Sequence, residues 1–208
     1  MLKFIGLLGD SIGHGYCDDK DLGWFARFGK MLLSDGEVQC LFNNMTQAGD
    51  NIADTTNRVI AEVLSRHFDL IIVSTGINDL RRRQNSELQL DFSDGARIMY
   101  WNKLLDILAL SKAKIVVLDL LPVIENRYME EATLVRYNSD VEHYNRIIEG
   151  ICRERSINFF ARYDKWKNRN LEALYADALH PNAEGHQILA EEVYGYFKEN
   201  KLLARDIF

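Results

Sequence analysis

The chain has 208 residues, of which 47% are hydrophobic and 27% charged; net charge is −6, with three cysteines and two prolines. This length predicts one domain over residues 1–208, with two a remote second choice, and a core buried without covalent staples. The acidic balance argues against nucleic acid as a partner, and the small, odd cysteine count fits a reducing compartment better than a disulfide framework. No apolar run approaches the ~18 residues of a membrane span. The first apolar run stops at Gly9-Asp10, too short for a signal-peptide core plus its cleavage site. The start is therefore expected to be structure, and the protein cytoplasmic.

Leu2 to Leu8 reads as a buried strand that stops at Gly9-Asp10-Ser11-Ile12-Gly13. A helix is predicted from an N-cap at Asp21 to Leu33, with Trp24, Phe28, Met31 and Leu32 on one face and Asp35-Gly36 as its end. Val38 to Phe42 reads as strand two, and Asn43 to Asp50 as a polar loop. A second helix follows over Ile52–His67, with Ile52, Val59, Ile60, Val63 and Leu64 inward. Leu70 to Ser74 is a β-branched run suited to a strand buried on both faces. Residues 81 to 92 are polar and poorly patterned.

A third helix is expected over Asp94–Ser111, burying Ile98, Trp101, Leu104, Leu105 and Leu108. Lys114–Leu120 is strand four, closed by Pro122. A helix over Asp140–Arg155, strand five over Ile157–Ala161 and a last helix over Asn182–Asn200 complete the chain. Strands alternating with helices predict an α/β fold, a parallel sheet covered on both faces. Five strands with right-handed crossovers favour the flavodoxin-like order 2-1-3-4-5.

In such a sheet, ligands bind beyond the carboxyl ends of the strands, where strand order reverses. Ser11 follows strand one, Gly49 the second strand and Asn78 the third; Asp177 and His180 precede the last helix. All fall on one edge. A serine hydroxyl needs a base, and His180 is the histidine with a carboxylate three residues upstream at that edge. Asp177 can accept a hydrogen bond from Nδ1–H, fixing the tautomer so that Nε2 faces Ser11. The Ser11 and Gly49 N–H groups and the Asn78 amide are the candidate oxyanion donors, with Gly49 letting the main chain come close.

Gly9-Asp10-Ser11-Ile12, Gly49, Gly76-Ile77-Asn78-Asp79 and Asp177-Ala178-Leu179-His180-Pro181 together resemble the four-block pattern of the SGNH, or GDSL, hydrolases. The pattern spans residues 9 to 181, with Ile12 where the first block has leucine. The resemblance implies a three-layer α/β/α sandwich and a Ser-His-Asp esterase or acylhydrolase acting on a small-molecule ester through an acyl-enzyme. It implies Ser11 as nucleophile, His180 as base, Asp177 as orienting acid, an oxyanion hole from Ser11, Gly49 and Asn78, and no cofactor. The rivals are an acyltransferase using the same groups and a non-catalytic binding domain.

The remaining motifs read more plainly. Gly9-x-Ser11-x-Gly13 matches a nucleophile elbow in letters, but too little chain precedes it for the α/β-hydrolase order. Asp10 and Asp79 are read as loop-bracing carboxylates. His14, His67, His143 and His186 are read as surface or helix-face residues. His14, Cys17 and Asp18 lack a second ligand pair, so no metal is expected. Arg81-Arg82-Arg83 reads as a solvated loop, with attraction of an anionic substrate as the sharper alternative.

Overall fold

Five strands form one parallel sheet: β1 (Leu2–Gly9), β2 (Gln39–Thr46), β3 (Leu70–Ser74), β4 (Lys114–Leu118) and β5 (Asn158–Phe160), in the spatial order β2-β1-β3-β4-β5. This is the 2-1-3-4-5 order expected from the alternation of elements. The computed structural model describes residues 2–20, 22–36, 38–83, 90, 92–125 and 134–203.

Helices α1 (Gly23–Asp35), α2 (Ile52–Val59), α3 (Asp94–Ala109), α4 (Asn138–Glu154) and α5 (Ala183–Glu199) flank the sheet. α1 packs on α5, and α3 packs on α2 and α4. Ile71, Ile72 and Val73 of β3 and Val116 and Val117 of β4 are inaccessible to solvent. Their β-branched side chains pack between helices on both sides, as their unbroken apolar run demands.

Several boundaries differ from the sequence expectation. β2 continues through Asn43 and Asn44 to Thr46, because an edge strand tolerates polar side chains that hydrophobic patterning reads as loop. α2 passes into a π-helical turn over Ile60–Leu64 and ends there, short of His67. The wider turn shifts the helical phase: Val63 stays buried, while Ile60 and Leu64 face solvent.

In α3, Ile98 is exposed and Arg97 takes the buried place. Asp21 lies outside the described residues. α1 begins at Gly23 behind Leu22, whose side chain makes no cap. Asp18 serves that end instead, accepting from the Gly23 N–H at 3.0 Å and pairing with Arg27 at 2.9 Å. Sequence patterning also misses a two-residue antiparallel ribbon that pairs Arg82 with Val135 and Arg83 with Leu134.

β1 lies at the centre of the order reversal, flanked by β2 and β3, and its last residue Gly9 sits opposite Thr46 and Ser74. A Cβ on Gly9 would stand 2.3 Å from the Ser74 carbonyl oxygen. Only glycine lets the chain leave the sheet there and turn directly into the Ser11 segment.

Candidate active site

Asp10 starts the turn after β1. Its carboxylate accepts from the Ile12 N–H at 3.0 Å and caps a single helical turn, Ser11–His14. Ser11 is the first residue of that turn, so its own N–H has no intrahelical acceptor. The Ser11 hydroxyl meets His180 Nε2 at 2.8 Å across 169 residues of sequence.

His180 is held in turn by Asp177. Its Nδ1 lies 2.7 Å from Asp177 Oδ2, and Asp177 Oδ1 accepts from the N–H groups of Leu179 and His180, each at 2.7 Å. Burial works to raise the Asp177 pKa. The His180 ring and the two backbone N–H groups outweigh it and hold the pKa at about 2. A carboxylate can only accept, so Nδ1 carries the proton and Nε2 presents its lone pair to Ser11. Asn182 fixes the segment from below: its side chain caps α5, accepting from the Glu184 and Gly185 N–H groups. Tyr16 packs against the His180 ring with centroids 4.7 Å apart.

The oxyanion candidates lie in the same cleft, a volume of about 350 Å³ lined by Ser11, His180, Gly49 and Asn78 among others. Gly49 has φ +88°, the left-handed region that favours glycine. A Cβ there would meet only Arg81 at 3.8 Å. The backbone conformation by itself therefore favours glycine here.

Asn78 is fixed at both ends of its amide. Its Nδ2 donates to the Asp50 carbonyl at 2.9 Å, and its Oδ1 accepts from Arg136 Nη2 at 2.9 Å. One Nδ2 hydrogen remains for a ligand. Arg136 also donates to the Ile77 carbonyl at 3.0 Å, clamping the turn. No sequence signal marked Arg136, which sits 58 residues beyond Asn78.

Below that turn, Asp79 accepts from the Ile52 N–H at 2.8 Å and from the Tyr144 hydroxyl at 2.5 Å. Trp101 Nε1 donates to the same hydroxyl at 2.9 Å. Burial, partly offset by these donors, raises the Asp79 pKa to about 6. Asp10 is raised to about 7, mainly by burial. Both act as braces beneath the cleft, as their sequence context suggested.

His186 lies on the inner face of α5 and is fully buried, the helix-face rather than the surface alternative. Its Nδ1 accepts from the Trp24 N–H at 3.2 Å, which leaves Nε2 to donate to the Tyr16 carbonyl at 3.2 Å. It ties the Tyr16 loop to α5. Burial is the main cause that lowers its pKa.

Cys17, Asp177 and His180 bring Sγ, a carboxylate oxygen and a ring nitrogen within 4.8 Å of one another. Both ring nitrogens and both carboxylate oxygens are already hydrogen-bonded. The group is thus a hydrogen-bonded triad with a thiol neighbour. The sequence trio of His14, Cys17 and Asp18 does not assemble, because Arg27 and two backbone N–H groups occupy Asp18.

A Ser-His-Asp relay at the carboxyl edge of a 2-1-3-4-5 sheet defines a serine hydrolase of the SGNH type. The match to known proteins agrees: residues 7–188 match the model of the GDSL-like Lipase/Acylhydrolase family, and the chain belongs to that family. No curated protein matches the sequence. Among solved structures, the acetyl xylan esterase AlAXEase superposes with a TM-score of 0.74 at 18% identity, covering 93% of this chain and 98% of that one. LAE5, an α/β hydrolase enzyme from the metagenome of Lake Arreo, Spain, gives 0.75 at 18% identity over 98% and 97%. A lipase/acylhydrolase from Enterococcus faecalis gives 0.72 at 16% identity over 95% and 96%. At these identities the likeness is one of fold. Among the described residues no helix is long and apolar enough to cross a membrane.

Proposed function

We propose that this protein, acting as a single domain, is a serine carboxylic-ester hydrolase for small esters. Ser11 is the nucleophile, His180 the base, Asp177 the orienting acid, and Ser11, Gly49 and Asn78 supply the oxyanion donors. The observation that carries this reading is the unbroken chain of hydrogen bonds from Asp177 through His180 to Ser11. Ser11 Oγ attacks the ester carbonyl and passes its proton to His180 Nε2. The carbonyl oxygen takes the negative charge and is met by N–H donors. Collapse of the tetrahedral intermediate expels the alcohol, which leaves with the proton from Nε2. Water then repeats the sequence on the acyl-enzyme, regenerating Ser11 and releasing the acid.

A cleft of about 350 Å³ suits a small substrate. Acetyl xylan esterases share this fold, and a short acyl group is the class proposed here. A panel of 4-nitrophenyl esters graded by acyl length tests it, together with a fluorophosphonate probe. The short esters turn over fastest and the probe labels wild type but not Ser11→Ala. Labelling that persists in Ser11→Ala removes the assignment of the nucleophile.

A further inference from the structure

The two-residue ribbon ends beside the cleft. Its register pairs Arg82 with Val135 and Arg83 with Leu134, and Arg81 and Arg136 flank its end. Arg82 pairs with Asp140 at 2.8 Å. Arg81 and Arg136 instead both line the cleft that holds Ser11 and His180.

Their hydrogen bonds go to neutral groups. Arg81 Nη2 donates to the Gly49 carbonyl at 3.0 Å, and Arg136 donates to the Ile77 carbonyl and the Asn78 amide. Arg81 Nε is buried without any partner. Burial, with repulsion from Arg81 next, brings the Arg136 pKa down to about 10. Among the described residues lining the cleft there is no aspartate or glutamate, although the whole chain carries a net charge of −6. Two guanidiniums thus face a small cleft with donor capacity left over.

We propose that the ester substrate carries an anionic group, carboxylate or phosphoryl, and that Arg81, backed by Arg136, binds it beside Ser11. This rests on the esterase reading and extends it to substrate class. The guanidinium fork matches the oxygen spacing of either anion. An anion in the cleft would take the guanidinium N–H groups of Arg81 that the Gly49 carbonyl leaves over and relieve the repulsion between the two arginines. Arg81 also holds the Gly49 carbonyl, so the anion site and the oxyanion loop share one side chain.

The test compares kcat/KM in matched pairs. Mono-4-nitrophenyl adipate against 4-nitrophenyl hexanoate places a carboxylate on the acyl side. On the alcohol side, 4-acetoxybenzoate and 4-acetoxyphenyl phosphate are each compared with phenyl acetate. In at least one pair the anionic ester is preferred by about 10-fold or more, in keeping with a charge-assisted hydrogen bond. Arg81→Gln cuts that preference about 10-fold through KM, Arg81→Lys restores part of it, and 0.5 M NaCl weakens it.

Hydrolysis of the neutral esters without preference in any pair overturns this proposal and leaves the esterase reading standing. Arg81→Gln lowering both members of a pair equally also overturns it, since the arginine would then serve only the Gly49 loop. Turnover of none of the esters removes both readings.

Discussion

Arg136 Nη2 and Asn78 Oδ1 lie 2.9 Å apart, and this contact decides which way the Asn78 amide faces. A guanidinium can only donate, so the amide oxygen must turn toward it and the NH2 group toward Asp50 and the cleft. An oxyanion donor with a fixed direction needs no reorganisation when charge develops.

Asn78→Ala is expected to lower kcat by about 10²–10³, the cost of one oxyanion donor. Arg136→Gln is expected to lower kcat by roughly 10- to 100-fold, with less change in KM for a neutral ester, because a misdirected donor fails mainly in the transition state. The decisive measurement is the double variant. If Arg136 acts through Asn78, adding Arg136→Gln to Asn78→Ala changes kcat little further. Fully multiplicative losses would show that Arg136 acts independently.

Asp177→Asn is expected to lower kcat by about 10³–10⁴, because an amide no longer enforces the Nδ1–H tautomer. Its effect on stability has a definite pH window. The Asp177 pKa is depressed from 3.8 to about 2, so its stabilisation is present above the unfolded value and is lost as pH falls through the folded one. The Tm deficit of Asp177→Asn should therefore be full at pH 7 and shrink as pH falls from about 4 toward 2. A deficit that stays constant over that range would deny the depressed pKa.

Asp10→Asn should show the opposite sign. Burial raises the Asp10 pKa from 3.8 to about 7. The protonated carboxyl is thus favoured in the folded state, and stability is lost as pH rises from the unfolded value through the folded one. The amide oxygen of asparagine can keep the Ile12 N–H bond without a charge to bury. Relative to wild type, Asp10→Asn should gain Tm as pH rises from about 4 to 7 and level off above that, by about 2–4 °C for each kcal/mol relieved. Differential scanning fluorimetry at both pH values reads the difference directly, and a Tm difference independent of pH rules the idea out.

The alternation of apolar runs and amphipathic stretches carried the strand order, because a strand buried on both faces writes its burial into β-branched residues such as Ile71, Ile72 and Val73. The four short blocks carried the family. Weak patterning failed where packing overrides local preference. Asn43 and Asn44 looked like loop yet extend an edge strand, and Arg97 fills a buried place that Ile98 was expected to take. His186 reads as a surface or helix-face residue, and no local signal records that its two ring nitrogens satisfy Trp24 and Tyr16 from another part of the chain.

The order of residues was enough to put a serine, an amide and a histidine at one edge of the sheet, since strand ends and helix starts are local features. Only folding in three dimensions joined Ser11 to His180, turned the Asn78 amide under Arg136 and brought Arg81 and Arg136 to one cleft. Those relations depend on side-chain distances between segments far apart in the chain, and local periodicity holds no information about such distances.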